Sequence, residues 1–393
     1  MKTKLFLFLS FITFNSLSQF NKTHYIPPVS NSGNFATLDQ SIYISCPNTS
    51  NVNYSVLPLG GTSIIGTVNR DNPVEINIGN GSNTQILISD TASNQNFSNK
   101  GYIIEADDLI YVTVRLKTQN HAGGLVSKGL AALGTEFRIG GLLNTGVDND
   151  ARHYTFASIL ATENNTTINF SGVRPGTTLF NNTNGSTPYS ITLNSGQSYV
   201  ISTRGDTNSV PDGLIGALIT SDKPIAVNSG SYSGTNGSQN NSTDLGFDQI
   251  VSAERTGTEY IFVKGNGNNS IEVPLIIAHE NNTQVFINGS ATPTATLNAG
   301  GYLALNGADF SAQNNLYVST SKKVFAYQGL AGTSADANQN MHFVPPLSCE
   351  TPKIINNSPL INKVGSDSAF TGTVCLVTKT GAALNFIING ANY

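Results

Sequence analysis

The chain has no tryptophan, only three cysteines among 393 residues, and charge on just 11% of its positions. An average soluble domain is about 25% charged. Each shortage excludes something. With few charges and a net charge of −4 there is no basic face to neutralise phosphates, so nucleic acid is not an expected partner. Beyond the N-terminus, the densest basic stretch is the pair Lys322 and Lys323. Cys46, Cys349 and Cys375 allow at most one internal pair. No Cys-x-x-Cys or spaced histidine cluster offers a zinc site, and buried small hydrophobes are the simpler reading. No apolar run approaches the roughly 20 residues of a membrane span. Helical periodicity is nearly missing too. Only "GGLVSKGLAALGTEF" has room for a helical turn, around Ser127 to Leu133, and Gly129 and Gly134 limit its length.

Polarity comes instead from Asn, Ser, Thr and Gly, a composition common in secreted all-β proteins. The N-terminus supports that address. Lys2 and Lys4 precede a short apolar run from Leu5 to Phe14, and "SLS" then offers small residues for cleavage. Residues 1–18 therefore read as a secretory signal peptide, with cleavage before Gln19 and no cysteine there to carry a lipid.

The remaining chain repeats itself. "GTEFRIGG" at Gly134 returns as "GTEYIFVKG" at Gly257, and "THYIPP" at Thr23 returns as "MHFVPP" at Met341. "LATENNTTINFSG" and "IAHENNTQVFING" place Ile168 and Val285 117 residues apart, and Val52 in "SCPNTSNVNYSV" lies 116 before Ile168. Within each unit, short alternating runs are bounded by Gly, Asn, Asp or Pro, the pattern of half-buried strands. "NSG" and "NAG" suit tight hairpins, and "SDKP" and "STSKK" read as turns. Self-similarity of this kind predicts a repeat architecture.

The expected fold is all-β: tandem antiparallel β-sandwich-like modules at residues 19–134, 135–256 and 257–340. A partial fourth unit at 341–393 reads as a fragment end or as the completion of an earlier unit. A propeller-like ring of elaborated blades is the alternative. Six or seven runs per unit favour the sandwich over a four-stranded blade.

"HYIPPVSN", "SKGLAALGTEFRIGG", "TSDKPIAVNSGS" and "DQIVSAERTGTEYIFVKG" resemble the IgGFc-binding protein N-terminal domain family. Bacterial members of that family are secreted Bacteroidetes proteins, often ending in a gliding-motility-associated C-terminal sorting domain, which this sequence lacks. The resemblance implies an extracellular binding protein without enzymatic activity. It transfers no ligand-contacting residue.

Candidate sites follow from residue chemistry. The stretch 228–249, "NSGSYSGTNGSQNNSTDLGFDQ", reads as a long polar loop, a common place for binding. Tyr232, Asn240, Asp244 and Asp248 are its candidate ligand contacts, joined by His121 from the Gly-rich "QNHAGG". Amides, hydroxyls and an aromatic ring suit sugar recognition, although a flexible solvent loop is the plainer reading of the residues alone. Asp148 and Asp150 in "VDNDARH" are candidate calcium ligands, with solvated loop carboxylates the plainer reading. No other cofactor is expected. His24 and His342 stand in matching phrases and read as repeat-encoded packing residues. Glu163 and Glu280 also match between repeats, which sets them too far apart for a glycosidase pair. No Gly-x-Ser-x-Gly elbow or phosphate loop is present.

The expectation is a secreted or cell-surface module that binds an extracellular glycoprotein or polysaccharide through loops on a β scaffold. A structural spacer and a glycan-active enzyme are the alternatives. Deleting 228–249 separates the first from the spacer.

Overall fold

Strands are the dominant element of the computed structural model, which describes residues 19–31, 37–145, 153–182, 184–205, 210–237, 243–330, 340–348 and 360–367, with short pieces of 376–392. The first stretch of chain supplies β1 (Asn21–Ile26), β2 (Val29–Ser30), β3 (Thr37–Ser45), β4 (Val52–Pro58), β5 (Ile64–Val68), β6 (Val74–Gly79), β7 (Leu87–Ile88), β8 (Asn96–Phe97), β9 (Tyr102–Thr118) and β10 (Ala122–Val126). The second supplies β11 (Gly134–Arg138), β12 (Tyr154–Ala161), β13 (Thr166–Ser171), β14 (Tyr189–Leu193), β15 (Ser198–Arg204), β16 (Leu218–Gly234) and β17 (Asp244–Ile250). The third supplies β18 (Gly257–Val263), β19 (Val273–Ala278), β20 (Thr283–Ile287), β21 (Ala295–Leu297), β22 (Tyr302–Ala304), β23 (Asn315–Leu330) and β24 (Asn340–Phe343). A small hairpin of β25 (Ile387–Ile388) and β26 (Ala391–Asn392) follows.

One long strand organises each unit. The first part of β9 pairs with β1 and β4, and its last part with β3 and β10. With β5 on β4 and β6 on β3, the unit becomes two four-stranded layers that share β9. Strands that switch layers in this way are how sandwiches turn corners. The second unit repeats the plan around β16 and the third around β23. The fold is all-β and built of repeated modules, as the sequence predicts.

Sequence and structure part company at the corner. "SDKP" and "STSKK" are not turns but the midpoints of the unbroken strands β16 and β23. Pairing of β16 with β13 stops at Ser221, and pairing with β12 begins at Ile225. Asp222 and Pro224 face solvent between them. A proline costs no ladder hydrogen bond where the strand has no partner. The polar residues that look like a turn mark this unpaired crossing. The hairpins do follow the sequence: Asn165 and Asn282 of "ENNT" hold φ of 54° and 56°, a left-handed conformation that asparagine tolerates.

Neighbouring units share cores. Tyr154, Phe156, Tyr232 and Phe247 of the second unit pack with Ile42, Val56 and Val112 of the first. Leu275, Ile277, Phe325 and Tyr327 of the third pack with Ile139, Ile159 and Ile201 of the second. Strand exchange tightens the first seam, because β8 from the first stretch of chain pairs with β15 at the edge of the second sheet. At the second seam the Tyr327 hydroxyl donates to the Arg138 carbonyl at 2.5 Å, and a Cβ on Gly140 would lie 2.6 Å from the Tyr327 ring. The second half of β16 is buried on both faces, between its own core and the preceding unit.

The matching phrases "THYIPP" and "MHFVPP" do not hold matching places. His24 lies on β1, opposite Ile104 in the first half of β9. His342 lies on β24, opposite Gln328 in the second half of β23. Their surroundings differ accordingly, so similarity of the phrases is not a structural repeat. β24 also belongs to the third sheet, which therefore extends to Phe343. The expected helical turn is a short 3-10 turn at Gly129–Ala132. Cys46 is buried, and its thiol donates to the carbonyls of Asn48 and Val68.

Candidate functional site

Much of the stretch 228–249 is strand rather than loop: β16 reaches Gly234 and β17 starts at Asp244. β16 and β17 run through it as an antiparallel pair, with Ser229 opposite Asp248 and Gly230 opposite Phe247. This changes the setting of each candidate residue. Tyr232 is fully buried, and its hydroxyl lies 2.5 Å from Thr37 Oγ1 of the first unit. Burial pushes its phenol pKa up to about 12. Asp244 is buried and lies 2.8 Å from His121 Nδ1, so these two candidates do meet, but inside a seam. Asp248 is buried beside Lys128. None of these side chains offers an open aromatic or carboxylate surface to a ligand. Asn240, Asp148 and Asp150 lie outside the described residues. Among the described residues no group of three His, Cys, Asp or Glu is placed to hold a metal ion.

What the buried residues form is a polar hub where β10, β17 and β24 converge. Asp248 Oδ2 accepts from Lys128 Nζ at 2.8 Å and from the Phe343 amide at 3.0 Å, while Oδ1 accepts from the Val126 amide at 2.9 Å. Gln249 adds a second bridge, accepting from the Lys128 amide at 2.7 Å and donating to the Tyr25 carbonyl at 2.7 Å. His24 closes the hub, 2.9 Å from Ser127 Oγ through Nδ1 and 3.2 Å from the Ile110 carbonyl through Nε2. Burial holds its pKa down at about 4. The hub joins all three units and is structural in character: its donors and acceptors satisfy one another.

An accessible candidate surface lies on the outer face of the first unit. Alternate residues of adjacent strands point the same way. Register sets Ile65, Ser55, Glu105 and Thr23 in one row across β5, β4, β9 and β1. Thr67 and Asn53 start a second row, which Asp107 continues: Asn53 Nδ2 donates to Asp107 Oδ2 at 2.6 Å. Asn53, Ser55, Ile65, Thr67, Glu105 and Asp107 line a shallow depression of about 650 Å³. Ile65 is 79% exposed at its rim. Underneath, Tyr54 lies opposite Gly66 and Ala106, and a Cβ on Gly66 would come within 2.4 Å of the Tyr54 hydroxyl. The ring fills the space that glycine leaves, which stiffens the floor. Hydroxyls, an amide and two carboxylates around one exposed apolar side chain can hydrogen-bond a polyhydroxylated or peptide ligand while packing an apolar patch of it.

Sequence reasoning missed this face. The alternation in "NVNYSV", "SIIGTV" and "IIEADDL" was readable, but the order β5-β4-β9, which brings the three strands together, was not.

No helix among the described residues is long and apolar enough to cross a membrane. No curated protein is detectably similar in sequence. A solved structure described as a Ca2+-stabilized adhesin that helps an Antarctic bacterium reach out and bind ice aligns at 12% identity, over 81% of this chain and 70% of that one. Its TM-score of 0.12 is too low to carry an argument. A family model described as IgGFc binding protein matches residues 122–392. By that match over more than half its length, the chain belongs to the IgGFc binding protein family.

Proposed function

We propose that this protein is a secreted or cell-surface adhesion module that recognises an extracellular glycoprotein or polysaccharide, without catalysing a reaction. The observation that carries this reading is the exposed face of β5, β4 and β9: Asn53, Ser55, Thr67, Glu105 and Asp107 around Ile65 on a rigid sheet. Membership of a family named for binding supports it. The family's name points to the Fc part of immunoglobulin G, itself a glycoprotein, so Fc is one ligand to try. A face of hydroxyls, amides and carboxylates matches sugar hydroxyls group by group. Three units on one chain also allow several weak contacts to add as avidity. The face replaces the stretch 228–249 as the ligand-contacting region in this reading.

The test is binding of residues 19–393 to immobilised glycans, mucin and immunoglobulin Fc, with and without calcium. Saturable binding to one class, lost on Asn53→Ala with Ile65→Lys, supports the proposal. Binding that survives both changes moves the site elsewhere. No binding by demonstrably folded protein favours a structural spacer.

A further inference from the structure

The faces through which units meet differ in chemistry from one unit to the next. In the second unit, Tyr154, Phe156 and Leu160 of β12 face the first unit. In the third, Leu275 and Ile277 of β19 face the second. The corresponding face of the first unit lies on the side of β3 opposite its inward residues Ile42 and Ile44. It is made of Asp39, Ser41 and Tyr43, with Arg115 and Lys117 from β9 and Glu75 from β6. A face that is largely apolar and uncharged in two units is therefore charged in the first.

Residues 360–367 cover that charged face. The Arg115 guanidinium lies 4.1 Å over the Tyr43 ring and donates to the carbonyls of Leu360 at 2.5 Å and Lys363 at 2.7 Å. Lys117 pairs with Asp367 at 2.9 Å, and Lys363 pairs with Glu75. The Gly365 amide donates to the Tyr43 hydroxyl at 2.9 Å, and Ser366 Oγ donates to Asp39 at 2.9 Å. Gly365 holds φ of +58°, and a Cβ there would sit 2.4 Å from the Asp39 Cβ, so only glycine fits this close approach.

We infer that residues 360–367 are an ionic latch that closes over the first unit, filling the place that a preceding unit fills on the second and third. The pairing explains the face: a polar segment is matched by charges of both signs, whereas a packed unit is matched by apolar side chains. It also explains how the latch differs from a unit seam. Apolar burial is insensitive to moderate salt, while partly exposed ion pairs are screened. The latch therefore loosens with rising ionic strength under conditions that leave the unit seams intact. This inference stands apart from the adhesion reading, because the latch lies on β3, β6 and the last part of β9, away from Ile65.

Amide hydrogen exchange on residues 19–393 tests it, comparing about 0.02 M with about 1 M NaCl. In the unaltered protein, exchange within residues 360–367 is expected to rise about tenfold at high salt, with β16 unchanged as the measure of intact folding. Lys117→Glu is expected to give the same release at low salt, and Lys117→Glu with Asp367→Lys to restore protection. The inference is overturned if exchange in 360–367 ignores both salt and Lys117→Glu while β16 stays protected. It is equally overturned if the reciprocal swap fails to restore protection. If β16 loosens too in a single variant, the salt comparison on the unaltered protein decides.

Discussion

Asp248 and Lys128 form an ion pair of 2.8 Å at the point where all three units meet, with both side chains less than a tenth exposed. The same carboxylate accepts the amides of Val126 and Phe343, so one side chain ties β17 to β10 and β24. Burying two charges is costly, and their attraction repays it only with good geometry and full hydrogen bonding. Here the pair is short and both carboxylate oxygens accept further amides, so the cost of burial is offset while the pair is intact. Asp248→Ala should destabilise the protein by roughly 3–5 kcal/mol, because Lys128 is left charged and buried. Adding Lys128→Met should recover much of that loss. Urea unfolding followed by tyrosine fluorescence, free of any tryptophan signal, measures both; equal stability of Asp248→Ala and the unaltered protein would refute the argument.

His24 gives the hub a pH dependence of definite sign. Burial lowers its pKa from 6.5 to about 4. The unfolded chain therefore takes up the proton first as pH falls. The stability contributed by neutral His24 is complete above about pH 6.5 and is lost as pH drops toward 4. A difference of this size corresponds to about 3 kcal/mol. His342, also lowered by burial, adds in the same direction. His24→Gln should flatten the stability profile between those two pH values relative to the unaltered protein. Parallel profiles would show that His24 does not titrate as its burial requires.

Tyr232 separates packing from ligand contact. Its ring is buried and its hydroxyl meets Thr37 across the first seam. Tyr232→Phe should cost about 1 kcal/mol, the ordinary worth of one hydrogen bond. Tyr232→Ala should cost roughly 3–5 kcal/mol through the cavity it leaves. Binding by the folded Phe variant should be unchanged. A Phe variant of full stability that no longer bound ligand would return Tyr232 to the site.

The strands, their repetition and their hairpin turns were legible because they depend on local chemistry. Alternation marks a half-buried strand, and Asn or Gly marks a left-handed turn. The corners were not, because Asp222, Lys223 and Pro224 look the same in a turn and in an unpaired stretch of strand. The burial of the strand residues of β16 and β17 was not legible either. Ser229, Ser231 and Asp248 are polar, yet all three are buried, because their partners come from distant parts of the chain: Gly140 for Ser229, Leu142 for Ser231 and Lys128 for Asp248. Polar composition signals exposure only when such partners are missing. The phrase shared by His24 and His342 misled for a related reason, since like sequences can serve different strands.

Ile65 tests the proposed binding face with little risk to the fold. It is 79% exposed and lies on a strand that, among the described residues, is the edge of its sheet beside β4. Exposed substitutions away from special features usually change stability by less than about 0.5 kcal/mol. Ile65→Lys should therefore leave the urea midpoint nearly unmoved. Its effect on binding should be large, because the change removes the exposed apolar side chain of the face and puts in its place a charge that a bound ligand would have to desolvate. A loss of at least about tenfold in affinity, or about 1.4 kcal/mol, is expected for the ligand that the panel identifies. Glu105→Gln, which keeps shape and removes charge, should weaken binding less and reduce its salt dependence. Unchanged affinity in both variants would exclude the β5, β4 and β9 face as the contact surface and would direct the search to the outer faces of the second and third units.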